Sequence, residues 1–238
     1  MLKQAVRWQL IARNPAADLE LPSVPKLDMV TLTREQAGEL LLAAERRPLM
    51  RTLVLLGMAT GARLGELLAL RWADIDLDIG TARIGRSRRI VGGQMQVKGP
   101  KTEAGYRTVA LGPVTVATLR QLRAEQAERR LALGPGYHTS EDLVICKLDG
   151  RPYRPDSTST QFRKFVDQAG LPRSVHVHTL RHSAASFLAA EGVPAGDIAA
   201  QLGHADGGAL ALRVYVHPLE ENKRRAAAHL DRIIGSRG

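Results

Sequence analysis

Helical and strand-like patterning alternate in blocks along this chain. Residues 2–13 read as a short amphipathic helix stopped by Asn14-Pro15, and the following ADLELPSVPKLD, with Pro22 and Pro25, reads as extended. The pattern Thr33-x-x-Gln36 is a capping box that opens a helix running to about Arg47. An apolar helix over Leu49–Ala59 breaks at Thr60-Gly61, and a new one is predicted over Arg63–Trp72. The texture then changes. Residues 75–111 hold Gly80, Gly85, Gly92-Gly93, Gly99 and Gly105 between the short β-type runs TARI, QMQV and YRTVAL, which predict a small three-stranded antiparallel sheet. From Pro113 the chain is helical again, with stops at Gly134, Gly170, Gly192 and Gly203 and a long middle loop over 134–156. The fold class is α+β, mainly helical, with one small sheet inserted.

Apolar residues are 44% of the 238, enough to bury a core, and no apolar run approaches the ~18 residues of a membrane span. The segment MLKQAVRWQLIARNP scatters Lys3, Arg7 and Arg13 through its length, so it lacks the apolar region of a signal peptide. Cys146 is the only cysteine, which rules out an internal disulfide and fits a reducing cytoplasm. Charge changes the picture most. The chain carries +10, and between Thr81 and Arg130 eleven Lys/Arg face three Glu, so this stretch holds eight of the ten excess charges. Such a local excess suits a polyanion like DNA, because each neutralised phosphate releases counterions. Aromatics are only 4%, too few for recognition by stacking splayed bases.

Four constellations could carry chemistry. In His178-Thr179-Leu180-Arg181-His182, the i, i+3 spacing puts His178 and Arg181 on one face near a helix start. An arginine there can hold two phosphate oxygens, and a histidine beside it can move a proton near neutral pH. In Thr60-Gly61-Ala62-Arg63-Leu64-Gly65-Glu66, a glycine break places Arg63 at a helix start with Glu66 on the same face to hold its guanidinium. Lys101 sits in Lys98-Gly99-Pro100-Lys101-Thr102, on a turn between two predicted strands, and Pro100 excludes a P-loop. The fourth is Gln201-Leu202-Gly203-His204 followed by Arg213-Val214-Tyr215-Val216-His217, where flanking cations lower the cost of a phenolate. Two metal patterns are incomplete. His178 and His182 have the i, i+4 spacing of a zinc pair without the glutamate that usually follows the first His, and Asp74-x-Asp76-x-Asp78 lacks the glycine and glutamate of a calcium loop. The alternating Asp run reads instead as a half-exposed strand or turn.

Taken in order, Arg63 with Glu66, Lys101, His178-x-x-Arg181, Leu202-Gly203-His204 and Tyr215 resemble the signature of the tyrosine recombinases, the phage integrase family. TGARLGELLAL, PKTEAGYRTVAL and HTLRHSAASFLAAEGV are similar to its motifs too. The resemblance implies a DNA breaking-rejoining catalytic domain over residues 29–238, with residues 1–28 the last helix and linker of a separate core-binding domain. It implies that Tyr215 attacks a phosphodiester to form a 3′-phosphotyrosyl bond. Arg63 and Arg181 hold the nonbridging oxygens, Lys101 protonates the leaving 5′-oxygen, His178 serves as base and His204 binds the phosphate. Glu66 and His182 stand behind these groups and orient them. Arg86, Arg88, Arg89, Lys98 and Arg107 are the expected DNA contacts. The expected partners are double-stranded DNA and other protomers assembled on it, with no cofactor, no metal and no membrane, in the cytoplasm at the nucleoid. Two other readings share these residues: a tyrosine-linked topoisomerase, and a DNA-binding protein that keeps the fold without catalysis.

Overall fold

The computed structural model describes residues 2–17, 19, 30–99 and 106–203. Helix α1 (Leu2–Arg7) ends well short of Asn14 and buries none of its residues. So short a helix with no packed face has little to propagate it, and the chain turns at Gln9 with φ of 58°. Helix α2 (Arg34–Ala44) starts at its predicted capping box: Gln36 N donates to Thr33 Oγ1 at 3.2 Å, and Thr33 N donates to Gln36 Oε1 at 3.0 Å. Helix α3 (Pro48–Thr60) begins on a proline and buries Met50, Leu53, Val54 and Leu56.

The helix expected over Arg63–Trp72 is a single turn, α4 (Leu64–Leu67), followed by a 3-10 turn at Trp72–Asp74. The reason lies in competing partners. Leu67, Leu68, Ala69 and Leu70 are all buried, and Val144 N donates to Leu70 O while Trp72 N donates to Asp142 O. Those bonds to a distant loop hold the chain extended where an isolated segment would continue helical.

Five strands follow: β1 (Ile75–Asp76), β2 (Thr81–Ile84), β3 (Ser87–Val91), β4 (Gln94–Lys98) and β5 (Arg107–Ala110). They form two sheets, β1-β2-β5 and a separate hairpin β3-β4. TARI and RTVA pair as expected, Ala82 opposite Val109, but the third strand is Ile75–Asp76 and QMQV pairs with SRRIV instead. Burial explains this. Ala82, Ile84 and Val109 give the first sheet a buried face, whereas no residue of β4 is buried. Gly92 and Gly93, at φ of 57° and 78°, supply the positive φ that a two-residue hairpin turn requires.

Helix α5 (Pro113–Leu133) crosses the core, where Trp72 Nε1 donates to Gln126 Oε1 (2.7 Å) and Gln126 Nε2 to Val144 O (2.9 Å). Helix α6 (Pro155–Gln168) adds Phe162 and Phe165, packed edge to face. Helix α7 (Val177–Ala190) crosses α3 closely: a Cβ on Gly57 would lie 2.8 Å from Leu180 Cδ1. Helix α8 (Ala195–Leu202) closes on α7 through Ala185, Ile198 and Leu202. Among the described residues no helix is long and apolar enough to cross a membrane.

Candidate active site

The C-terminal end of α3 is the platform. Thr60 turns its hydroxyl back to Leu56 O (2.6 Å) and accepts from Ala62 N, and Gly61 takes the left-handed conformation at φ of 59°. Two residues on, Arg63 caps α4 with half of its side chain exposed. Arg181 reaches this turn from α7. It is 2% exposed, and its Nη1 donates to Gly61 O at 2.6 Å and to Leu202 O at 2.7 Å. One guanidinium thus ties the end of α3, the second turn of α7 and the end of α8 together. Satisfying two otherwise orphaned helix-end carbonyls is what makes so buried an arginine tolerable. His178 lies one turn before Arg181 and is exposed; His182 is partly buried, and the two imidazoles meet edge to face with centroids 4.4 Å apart.

Glu66 is the buried carboxylate of the site. Arg63 N donates to Oε2 at 2.9 Å and Arg63 Nη1 to Oε1 at 3.3 Å. Arg107 approaches the same two oxygens with both ends of its fork, Nη2 to Oε2 at 2.9 Å and Nη1 to Oε1 at 3.3 Å. Burial pushes the Glu66 carboxyl up, but the Arg107 hydrogen bonds and charge, helped by Arg63, outweigh it and hold the group below the usual glutamate range.

Lys101 falls between β4 and β5, and His204 and Tyr215 follow α8; all three lie outside the described residues. Of the tyrosines that are described, Tyr137 is pushed up to about 12 by burial and by its contact with Cys146, and burial raises Tyr153 as well. Tyr106 stacks beneath the Arg83 guanidinium at 4.0 Å.

The expected DNA contacts divide. Arg89 and Lys98 are exposed on the β3-β4 hairpin. Arg88 is buried instead: its Nε donates to Leu68 O at 3.0 Å and its fork pairs with Glu141, so it braces the hairpin against the core. Adjacent strand residues point to opposite faces, so only one of the pair Arg88-Arg89 could face out. Arg86 pairs with Asp74. Arg107 is committed to Glu66, an attachment missed in the sequence because the two are 41 residues apart and no local pattern links them. The alternating aspartates serve three separate partners: Asp74 takes Arg86, Asp78 takes Arg120, and Asp76 Oδ1 accepts from Asp78 N and Ile79 N in a turn. Among the described residues there is no cluster of three or more metal-ligating side chains.

Residues 31–222 match the model of the phage integrase family, and the chain belongs to that family. It is 27% identical over 244 residues to a tyrosine recombinase XerC-like protein of Caldanaerobacter subterraneus subsp. tengcongensis, covering 95% of this chain and 62% of that protein. It is 27% identical over 231 residues to the ICEBs1 integrase of Bacillus subtilis, covering 97% of this chain and again 62% of the relative. The chain therefore spans about six-tenths of the length of these relatives. Its fold matches that of the Tn1549 transposon integrase solved in complex with transposon right end DNA, with a TM-score of 0.77 at 20% identity over 96% of this chain and 75% of the other.

Proposed function

We propose that this chain is the catalytic domain of a site-specific DNA recombinase that cuts and rejoins strands through Tyr215. The observation that carries the reading is the convergence of two arginines on one turn: Arg181 is clamped to Gly61 O, two residues from the half-exposed Arg63. A clamped cation and a half-exposed one beside the same turn match what the extra charge of a pentacoordinate phosphate needs. Membership of the phage integrase family and the names of its relatives, recombinases and integrases, favour strand exchange over supercoil relaxation or binding alone.

In the proposed reaction the Tyr215 hydroxyl attacks the phosphorus as His178 takes its proton. The bond to the 5′-oxygen breaks and Lys101 donates a proton to that oxygen, leaving a 3′-phosphotyrosyl ester and a free 5′-hydroxyl. Arg63 and Arg181 hold the nonbridging oxygens and His204 adds a hydrogen bond. Attack by the 5′-hydroxyl of a second strand reverses the steps, so the bond energy is kept in the ester and no nucleotide is consumed. Exposed Arg89 and Lys98 supply backbone contacts to the duplex. Other protomers assembled on DNA would provide the second strand, in the cytoplasm at the nucleoid.

The test is incubation with a pool of nicked duplexes of random sequence, followed by a denaturing gel. A protein-DNA adduct in the wild type that is lost in Arg63→Ala and Arg181→Ala is expected. Adducts that survive both substitutions would refute the reading.

A further inference from the structure

We propose that Arg107 is a positioning residue for strand cleavage, occupying Glu66 so that Arg63 stays free for the phosphate, and is not a DNA contact. The inference rests on the recombinase reading and deepens it. Glu66 is shared by two arginines, and they are not equivalent. Arg107 is 14% exposed and meets both carboxylate oxygens; Arg63 is 51% exposed, offers one long side-chain contact at 3.3 Å, and is otherwise held by its backbone N–H. The buried charge is thus neutralised mainly by Arg107, while the Arg63 side chain stays half-exposed with a single 3.3 Å contact to the carboxylate. A buried carboxylate stripped of its main partner draws in the next available cation. Without Arg107, that cation is Arg63, and its fork would turn from the phosphate to the carboxylate.

The setting of Arg107 supports a fixed brace over a mobile groping side chain. A Cβ built on Gly203 would stand 2.6 Å from Arg107 Cδ and 3.0 Å from its Nε, so the guanidinium is wedged between α4 and the end of α8. Gly203 is left-handed at φ of 71°, and the same missing side chain that permits this turn gives Arg107 its room. Arg107 Nε is buried with no hydrogen-bond partner among the described residues, a cost the fork onto Glu66 offsets.

The experiment uses a nicked duplex captured from the random pool and compares wild type, Arg107→Gln, Glu66→Gln and the double variant. Single-turnover cleavage at saturating protein should fall about 10- to 100-fold in Arg107→Gln, as expected when an orienting partner is lost, with the half-saturating protein concentration unchanged. Glu66→Gln in the same chain should recover much of that rate, because the amide no longer attracts Arg63. Arg107→Lys, which keeps the charge and loses the fork, should fall between. A salt slope of binding lowered by about one, with the saturated rate intact, would make Arg107 a phosphate contact and overturn the proposal. A double variant no faster than Arg107→Gln would overturn it in favour of a merely structural role. If Arg107→Gln does not fold, Arg107→Lys with and without Glu66→Gln decides by the same criterion. Absence of any adduct from the wild type marks failure of the recombinase reading itself, a separate outcome.

Discussion

Arg181 donates from Nη1 to the carbonyl of Gly61 at 2.6 Å, joining residues 120 apart in the chain. Because the same nitrogen also serves Leu202 O, this side chain holds the site together as well as lining it. Arg181→Ala should therefore lower the unfolding free energy by at least about 1.5–3 kcal/mol, the range for hydrogen bonds from a charged donor. It should also abolish cleavage. Chemical denaturation of the variant checks the first effect, and unchanged stability would show that the two carbonyls find other partners.

Gly61 is required on two counts. At φ of 59° any side chain is strained, and a Cβ there would lie 2.0 Å from Leu202 Cδ2. Gly61→Ala is expected to destabilise by more than the roughly 1–2 kcal/mol of a left-handed residue alone. Adding Leu202→Ala should relieve the clash and leave the strain, so the two substitutions should be less than additive in a double-mutant cycle.

Sequence distance decides which of these features are legible in the sequence. The Thr33 cap, the stop at Gly61 and the i, i+3 pair His178-Arg181 are local, and local patterns carry them. Gly134, Gly170, Gly192 and Gly203 all take positive φ where the sequence predicts helix stops. By contrast, the partner of QMQV depends on which strand has a buried face to offer, and α4 is cut short by bonds to residues 142 and 144. Arg88 and Arg107 look like any other basic residue of the sheet region until Glu141 and Glu66 are seen beside them. Charge density alone does not separate the exposed Arg89 and Lys98 from Arg88 and Arg107, which pair with carboxylates inside the fold.

Neighbouring arginines should consequently behave as opposites. Arg88→Ala removes a buried fork from Leu68 O and Glu141, and should lower the melting temperature with little change in the salt dependence of DNA binding. Arg89→Ala should leave the melting temperature alone and reduce the salt slope by about one. Thermal melts and binding isotherms at several salt concentrations read both, and equal effects at the two positions would contradict the assignment.

Glu66 links the site to pH. Its folded carboxyl lies below the ordinary glutamate value of 4.5, so between the two values the unfolded chain binds more protons than the folded one. Its contribution to stability is therefore complete above 4.5 and is lost as pH falls through the folded value. The melting temperature of the wild type should exceed that of Glu66→Gln near neutrality, with the gap closing as pH drops below 4.5. A gap that stays constant across that window would show that the carboxylate charge is not what holds the two arginines.

The central claim is that Tyr215 becomes covalently joined to DNA. The direct measurement is mass spectrometry of peptides from the trapped protein-DNA adduct after nuclease digestion. A nucleotide-bearing phosphotyrosine is expected on the peptide containing Tyr215, and no adduct from Tyr215→Phe even at protein concentrations where the variant binds the same duplex. An adduct mapped to Tyr106, Tyr137 or Tyr153, or one that persists in Tyr215→Phe, would contradict it.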